Sequence, residues 1–182
     1  AKAIRRMEVI AANAIAAAIK TGMPLIKRII TVTGDALKSS KNFRVRIGTP
    51  VKDVIEAVGG FAKDPAKVIL GGPMMGIAIS SLDVPVIKGT GAILALTEAV
   101  VGKGKESKCM RCGRCVEACP MNLQPFLLNS YSRIKEYDKL EGLNILDCME
   151  CGACSYLCPG RQSPVQNIRI SKQKIMAKRR AK

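Results

Sequence analysis

At 182 residues the chain has room for one ordinary core or two small ones, and 48% hydrophobic residues with only 3% aromatics and no tryptophan predict aliphatic packing. It contains no histidine, which excludes imidazole acid–base catalysis and histidine-ligated metals. Thirty Lys and Arg against fourteen Asp and Glu leave a formal charge of +16, a balance suited to acidic proteins, anionic lipid surfaces or nucleic acid.

Residues 3–20 read as a helix. Ile4, Met7, Ala11, Ala14, Ile15, Ala18 and Ile19 recur at steps of three and four, Gly22 is a C-cap candidate, and Pro24 ends the pattern. A packing helix is the expectation, with residues 1–26 taken as the end of a domain upstream. The longest uncharged runs, Val9–Ile19 and Val68–Leu82, are shorter than the roughly 20 residues a membrane span needs. Any membrane contact is therefore expected to be peripheral.

Residues 27–100 predict a small α+β unit. Arg28–Thr33 and Phe43–Ile47 read as strands, the first closed by Gly34-Asp35. Thr49 offers an N-cap with Pro50 at the first helical position, and Val51, Val54, Ile55 and Val58 form a helical stripe up to Gly59-Gly60. Lys67–Leu70, Val84–Ile87 and Ala92–Leu96 are further strand candidates. Two strands, a helix and then more strands is the order of a β-grasp fold. The Gly71-Gly-Pro-Met-Met-Gly76 turn lacks both the Gly-Lys-Ser/Thr ending of a P-loop and the dinucleotide fingerprint. It reads as a structural turn whose methionines pack on a neighbour. Thr31–Asp35 likewise reads as a strand end and turn. Residues 101–108, polar and glycine-containing, read as a linker.

All eight cysteines lie in two runs. Cys109, Cys112, Cys115 and Cys119 precede Pro120, and 39 residues on Cys148, Cys151, Cys154 and Cys158 precede Pro159. This C-x2-C-x2-C-x3-C-P spacing is that of bacterial ferredoxins that bind 4Fe–4S clusters. Two-residue gaps let three thiolates converge on one cube, and Gly113 and Gly152 permit close backbone approach. In two-cluster ferredoxins the fourth cysteine of each run serves the other cluster. The expected ligand sets are therefore Cys109, Cys112, Cys115 and Cys158 for one cluster, and Cys119, Cys148, Cys151 and Cys154 for the other. A zinc ribbon would use separated C-x2-C pairs, and a disulfide framework needs an oxidising compartment. Redox C-x2-C chemistry needs no duplicated four-cysteine run. Two clusters with four thiolates each carry about −4 together, so the loaded protein remains strongly basic.

Between the runs, Leu123–Tyr137 and Lys139–Leu146 are helical in pattern, which predicts an α-helical ferredoxin domain over 109–168. Residues 169–182 form a basic tail: beyond Glu150 there is no acidic residue, while Arg169, Lys172, Lys174, Lys178, Arg179, Arg180 and Lys182 accumulate. Its readings are a solvated helix face or a docking segment for an acidic partner or anionic lipid. Nucleic-acid binding is not expected, with almost no aromatics to stack bases. Arg111 and Arg114 flank one cysteine run and Asp147 and Glu150 the other. That contrast predicts the higher reduction potential for the cluster of Cys109, Cys112 and Cys115.

With these motifs in hand, the sequence resembles the C subunit of Rnf electron-transport complexes. The resemblance rests on Thr31-Val-Thr-Gly-Asp35, Arg46-Ile-Gly-Thr-Pro50, Gly71–Gly76, Lys88-Gly-Thr-Gly91 with Ala92–Thr97, and both cysteine runs. It implies an SLBB-like β-grasp domain followed by the two-cluster domain. It also implies electron relay within a membrane ferredoxin:NAD oxidoreductase that drives Na+ or proton translocation. Implied partners are the integral membrane and ferredoxin-like subunits of the complex, with peripheral placement on the cytoplasmic face of the cell membrane. FMN and NADH are expected only on a domain preceding residue 1, and no residue here is expected to be catalytic. Two other readings are the electron-transfer part of a soluble, flavin-dependent cobalamin reductase, and a module whose clusters only brace structure.

Overall fold

A computed structural model describes residues 2–102 and 104–181, with side chains from residue 12 onward. Ala1, Lys103 and Lys182 lie outside the described residues, as do the side chains of Ile4, Met7 and Ala11 in the expected helical stripe. The chain divides into two compact units, Ala1–Val101 and Gly102–Lys182. Among the described residues, no helix is long and apolar enough to cross a membrane.

The first unit opens with α1 (Lys2–Thr21), which ends as expected where the Gly22 N–H bonds Ala18 O at 2.9 Å. Among the described side chains of its stripe, Ile15 and Ile19 are 60% and 80% exposed. Strands β1 (Lys27–Thr33) and β2 (Lys41–Arg46) form an antiparallel pair, followed by α2 (Val51–Ala57), β3 (Lys67–Leu70), β4 (Ile77–Ile79), β5 (Ala92–Leu96) and a short α3 (Glu98–Val101). The sheet order is β2-β1-β5-β3-β4, with β1 and β5 parallel. This mixed sheet with one crossing helix is the expected β-grasp arrangement.

Period-two alternation explains why one sheet face is covered. Ile30 and Val32 of β1, Val68 of β3, and Ile93 and Ala95 of β5 turn inward against Val51, Val54, Ile55 and Val58 from α2 and its end. Each aliphatic side chain fully withdrawn from water contributes about 1.5–3 kcal/mol. Ile29, on the opposite face, stays 56% exposed.

Three local expectations change. Val84–Ile87 is not a strand of the sheet, because it bonds the β2–α2 loop instead. Val51 and Lys52 donate their N–H groups to Val84 O and Leu82 O, and Val86 donates to Thr49 O. Pro85, which has no N–H to offer a ladder, makes only an isolated bridge with Pro50. Pro50, not Thr49, is the N-cap of α2, so the helix starts one residue later than expected. At the Gly71–Gly76 turn Met74 and Met75 are 42% and 53% exposed, not packed away as expected. What the turn covers is Ile69, whose Cγ2 lies against Gly76.

The second unit contains α4 (Arg114–Glu117), α5 (Pro125–Ile134), α6 (Tyr137–Gly142), a 3-10 turn (Ile145–Asp147), α7 (Ala153–Tyr156) and α8 (Pro164–Arg180). Proline opens both α5 and α8, where a missing N–H costs nothing. The expected Leu123–Tyr137 helix is shorter, since Lys135 turns left-handed (φ 61°) and ends α5. Leu128, Leu140, Ile145, Ile168 and Ile175 form the core. Helix α8 runs unbroken through residue 169, so the basic segment is the continuation of a core helix and not a free tail. Ile175 is 1% exposed, and Arg179 pairs with Glu141 at 3.0 Å.

Candidate functional site

The two cysteine runs fold alike. Arg111 and Glu150 are left-handed at φ 55° and 56°, Gly113 and Gly152 at 81° and 84°, and Asn122 and Arg161 at 51° and 50°. Gly113 and Gly152 cap α4 and α7 at their N-termini, a conformation that a side chain would strain. Each run thus wraps, makes one helical turn, and leaves after its proline through a further left-handed residue.

Among the described residues of this unit lie two cavities open in part to solvent, each with about 350 Å³ of space counting the solvent at its mouth. Cys109, Cys112 and Cys115 line one of them together with Cys158 from the second run. Cys148, Cys151 and Cys154 line the other together with Cys119 from the first run. These are the two groups of four that the spacing predicts. Among the described residues no trio of Cys, Asp or Glu side chains converges tightly enough to hold a single metal ion. The thiols stand around a space instead.

The donor set fits an iron–sulfur cluster: four sulfurs per cavity, no imidazole among them, and largely apolar walls. Leu123, Leu128, Val165 and Ile168 close the second cavity, and Phe126 stands on the first. A backbone donor is already aimed at sulfur, since the Leu123 N–H reaches Cys119 Sγ at 3.4 Å. Burial pushes the Cys115 and Cys148 thiols up, and with the neighbouring Cys148 and Cys151 it pushes Cys154 to about 11. Buried thiolates crowded together are unfavourable unless a cationic core sits between them, and iron supplies one.

The rings differ in surroundings. Cys109 and Cys112 are exposed, whereas Cys154 is buried. Arg111 and Arg114 are exposed beside the first ring, and Arg111 also lines its cavity. Glu150 beside the second ring is not a free acid: Arg169 Nε lies 2.7 Å and Lys172 Nζ 3.3 Å from its carboxylate. Burial works against its charge, yet hydrogen bonds from Arg169 and Lys172 hold its pKa below the usual carboxylate range. Lys172 also donates to Cys148 O at 2.6 Å. In the sequence both cations read as part of a tail; the available signal was their separation of three residues, one turn on one face of a helix.

A partly buried hydrogen-bond network centred on Asn129 and Gln162 joins the arms of the first ring. Ser107 N–H donates to Gly160 O at 2.9 Å, and Gln162 Nε2 donates to Ser107 O at 2.5 Å. Asn129 Nδ2 donates to Gln162 Oε1, and Asn167 Nδ2 to Asn129 Oδ1, both at 2.7 Å. Residues 104–108, expected as linker, are thereby partly tied into the cluster unit, which brings the Cys158 arm beside Cys109.

Two domain families match the chain: an SLBB domain over residues 29–78 and a 4Fe–4S dicluster domain over residues 108–161. The chain is 53% identical over 160 residues to the C subunit of the proton-translocating ferredoxin:NAD(+) oxidoreductase complex of Clostridium ljungdahlii, covering 87% of this chain and 35% of that protein. It is 48% identical over 174 residues to the C subunit of the Na(+)-translocating ferredoxin:NAD(+) oxidoreductase complex of Acetobacterium woodii, covering 96% and 39%. With the C subunit of the ion-translocating oxidoreductase complex of Rhodobacter capsulatus it shares 50% identity over 119 residues, covering 65% and 23%. The chain thus spans well under half the length of these relatives.

Proposed function

The chain belongs with the C subunits of ion-translocating ferredoxin:NAD(+) oxidoreductase complexes, being homologous to part of their length, and from that premise we propose that it relays electrons through two 4Fe–4S clusters inside such a complex. The observation that carries the proposal is the pair of four-cysteine cavities, each closed by a cysteine from the opposite run. We assign Cys109, Cys112, Cys115 and Cys158 to one cluster and Cys119, Cys148, Cys151 and Cys154 to the other. When bound, each cluster takes up and returns one electron without proton transfer. The protein's part is to hold the thiolates, exclude water from the second cavity behind Leu128 and Ile168, and keep the two rings in one compact unit. No acid–base residue is required.

The partners in this reading are the other subunits of the complex, integral membrane and ferredoxin-like. Attachment is peripheral, on the cytoplasmic face of the membrane. In this reading FMN and NADH are not held by residues of this chain. The relatives favour this reading over a soluble cobalamin reductase.

Two measurements test it. Anaerobically purified chain is expected to carry roughly eight iron and eight sulfide, reducible in one-electron steps. Fractionation of native cells, with membranes washed in rising salt, is expected to retain the protein with a defined set of integral partners. Recovery in the soluble fraction without them would overturn the translocase assignment while leaving the clusters intact.

A further inference from the structure

Three charged side chains meet behind the second ring. Glu150 lies in the loop between Cys148 and Cys151, with Arg169 Nε 2.7 Å away and Lys172 Nζ 3.3 Å away, and Lys172 also holds Cys148 O at 2.6 Å. The side chains of Arg169, Glu150 and Lys172 are 14%, 26% and 15% exposed. Both cations project from α8, which Ile168 and Ile175 anchor in the core at 1% exposure each. Packing therefore fixes their positions. Lys172 thus holds a fixed positive charge against the backbone of the ring's first cysteine.

We propose that Lys172 is a positioning residue for the second ring: a fixed cation on α8 that holds the Cys148–Cys151 loop and raises that ring's affinity for an electron. The inference rests on the cluster reading above. Reduction adds one negative charge to a ring, and a cation held nearby stabilises it more strongly where solvent is excluded. Arg111, at the matching place of the first loop, faces solvent, where ordinary salt screens charge over about 10 Å. The acidic loop of the second ring thus has cations fixed against it by a helix distant in sequence.

The test is a redox titration followed by EPR on the iron-loaded chain, with iron and sulfide counted for every variant. Lys172→Met is expected to move one of the two midpoints to more negative potential and leave the other in place. Lys172→Arg is expected to leave both unchanged, and Glu150→Gln to move the same midpoint to more positive potential. If Lys172→Met lowers thermal stability but moves neither midpoint, Lys172 is only a structural prop and the proposal falls. Should that variant fail to retain both clusters, Glu150→Gln decides: a raised midpoint supports the proposal, and an unchanged or lowered one overturns it. A wild-type chain holding fewer than two clusters overturns the cluster reading, and this inference with it.

Discussion

Arg111 and Glu150 occupy the same place in two loops of the same shape, each two residues beyond the first cysteine of its run and each left-handed at φ 55° and 56°. A non-glycine residue in that conformation costs on the order of 1 kcal/mol, and both loops accept it, because the wrap that gathers three thiols demands it. Their charges are opposite, so one backbone device sits in two different fields.

The exposed position of Arg111 sets the first prediction. Arg111→Glu is expected to lower the midpoint potential of the first ring, since the reduced cluster loses a neighbouring cation and gains an anion. Because the side chain faces solvent, the shift shrinks as ionic strength rises. Titrations at low and high salt check both points, and a salt-independent shift would place the guanidinium against the ring instead.

Crossed closure of the cavities makes the fourth cysteines diagnostic. Cys158→Ser is expected to damage the cluster of Cys109, Cys112 and Cys115, and Cys119→Ser that of Cys148, Cys151 and Cys154. Each variant should lose up to about half its iron. The EPR signal that survives should differ between them. If Cys158→Ser spoiled the ring of its own run, the ligand sets would be uncrossed.

The first unit carries a pH-sensitive tie. Asp35, just past β1, accepts the Thr97 N–H at 2.9 Å and the Thr97 hydroxyl. These bonds hold its carboxyl below the ordinary 3.8. A group whose folded value is depressed stabilises fully above its unfolded value, and that contribution is lost as pH falls through the folded one. The stability margin of wild type over Asp35→Asn is therefore expected to narrow between about pH 5 and about pH 3, measured by denaturant unfolding followed by circular dichroism. A margin constant across that range would mean the carboxylate charge plays no part.

Helix α8 is core before it is surface. Ile175→Ala is expected to cost about 2–4 kcal/mol in unfolding of the second unit, because Ile175 is 1% exposed among Leu128, Leu140 and Ile168. Lys174→Ala, one residue away on the exposed side, should change stability by no more than about 0.5 kcal/mol. Similar losses for both would show that α8 is held by charge and not by burial.

The sequence by itself determined the cysteine spacing and most of the elements of the first unit. Both are local signals: gaps of two and three residues limit how thiols can converge, and side-chain periodicity follows from the geometry of helix and strand. Strands β1, β2, β3 and β5 and helix α2 were legible for that reason. Strand β4 was not, because its three residues sit at the sheet edge with no buried alternation. Val84–Ile87 has the composition of a strand, but tertiary hydrogen bonds to the β2–α2 loop claimed its backbone. The second unit shows the sharper division. Spacing alone named Glu150 as an acid beside one cysteine run and Arg169 and Lys172 as part of a basic tail. Only the folding of α8 against α5 and the core brought the three together. Charge acts through space, so its meaning at the second ring was decided by packing between segments about twenty residues apart.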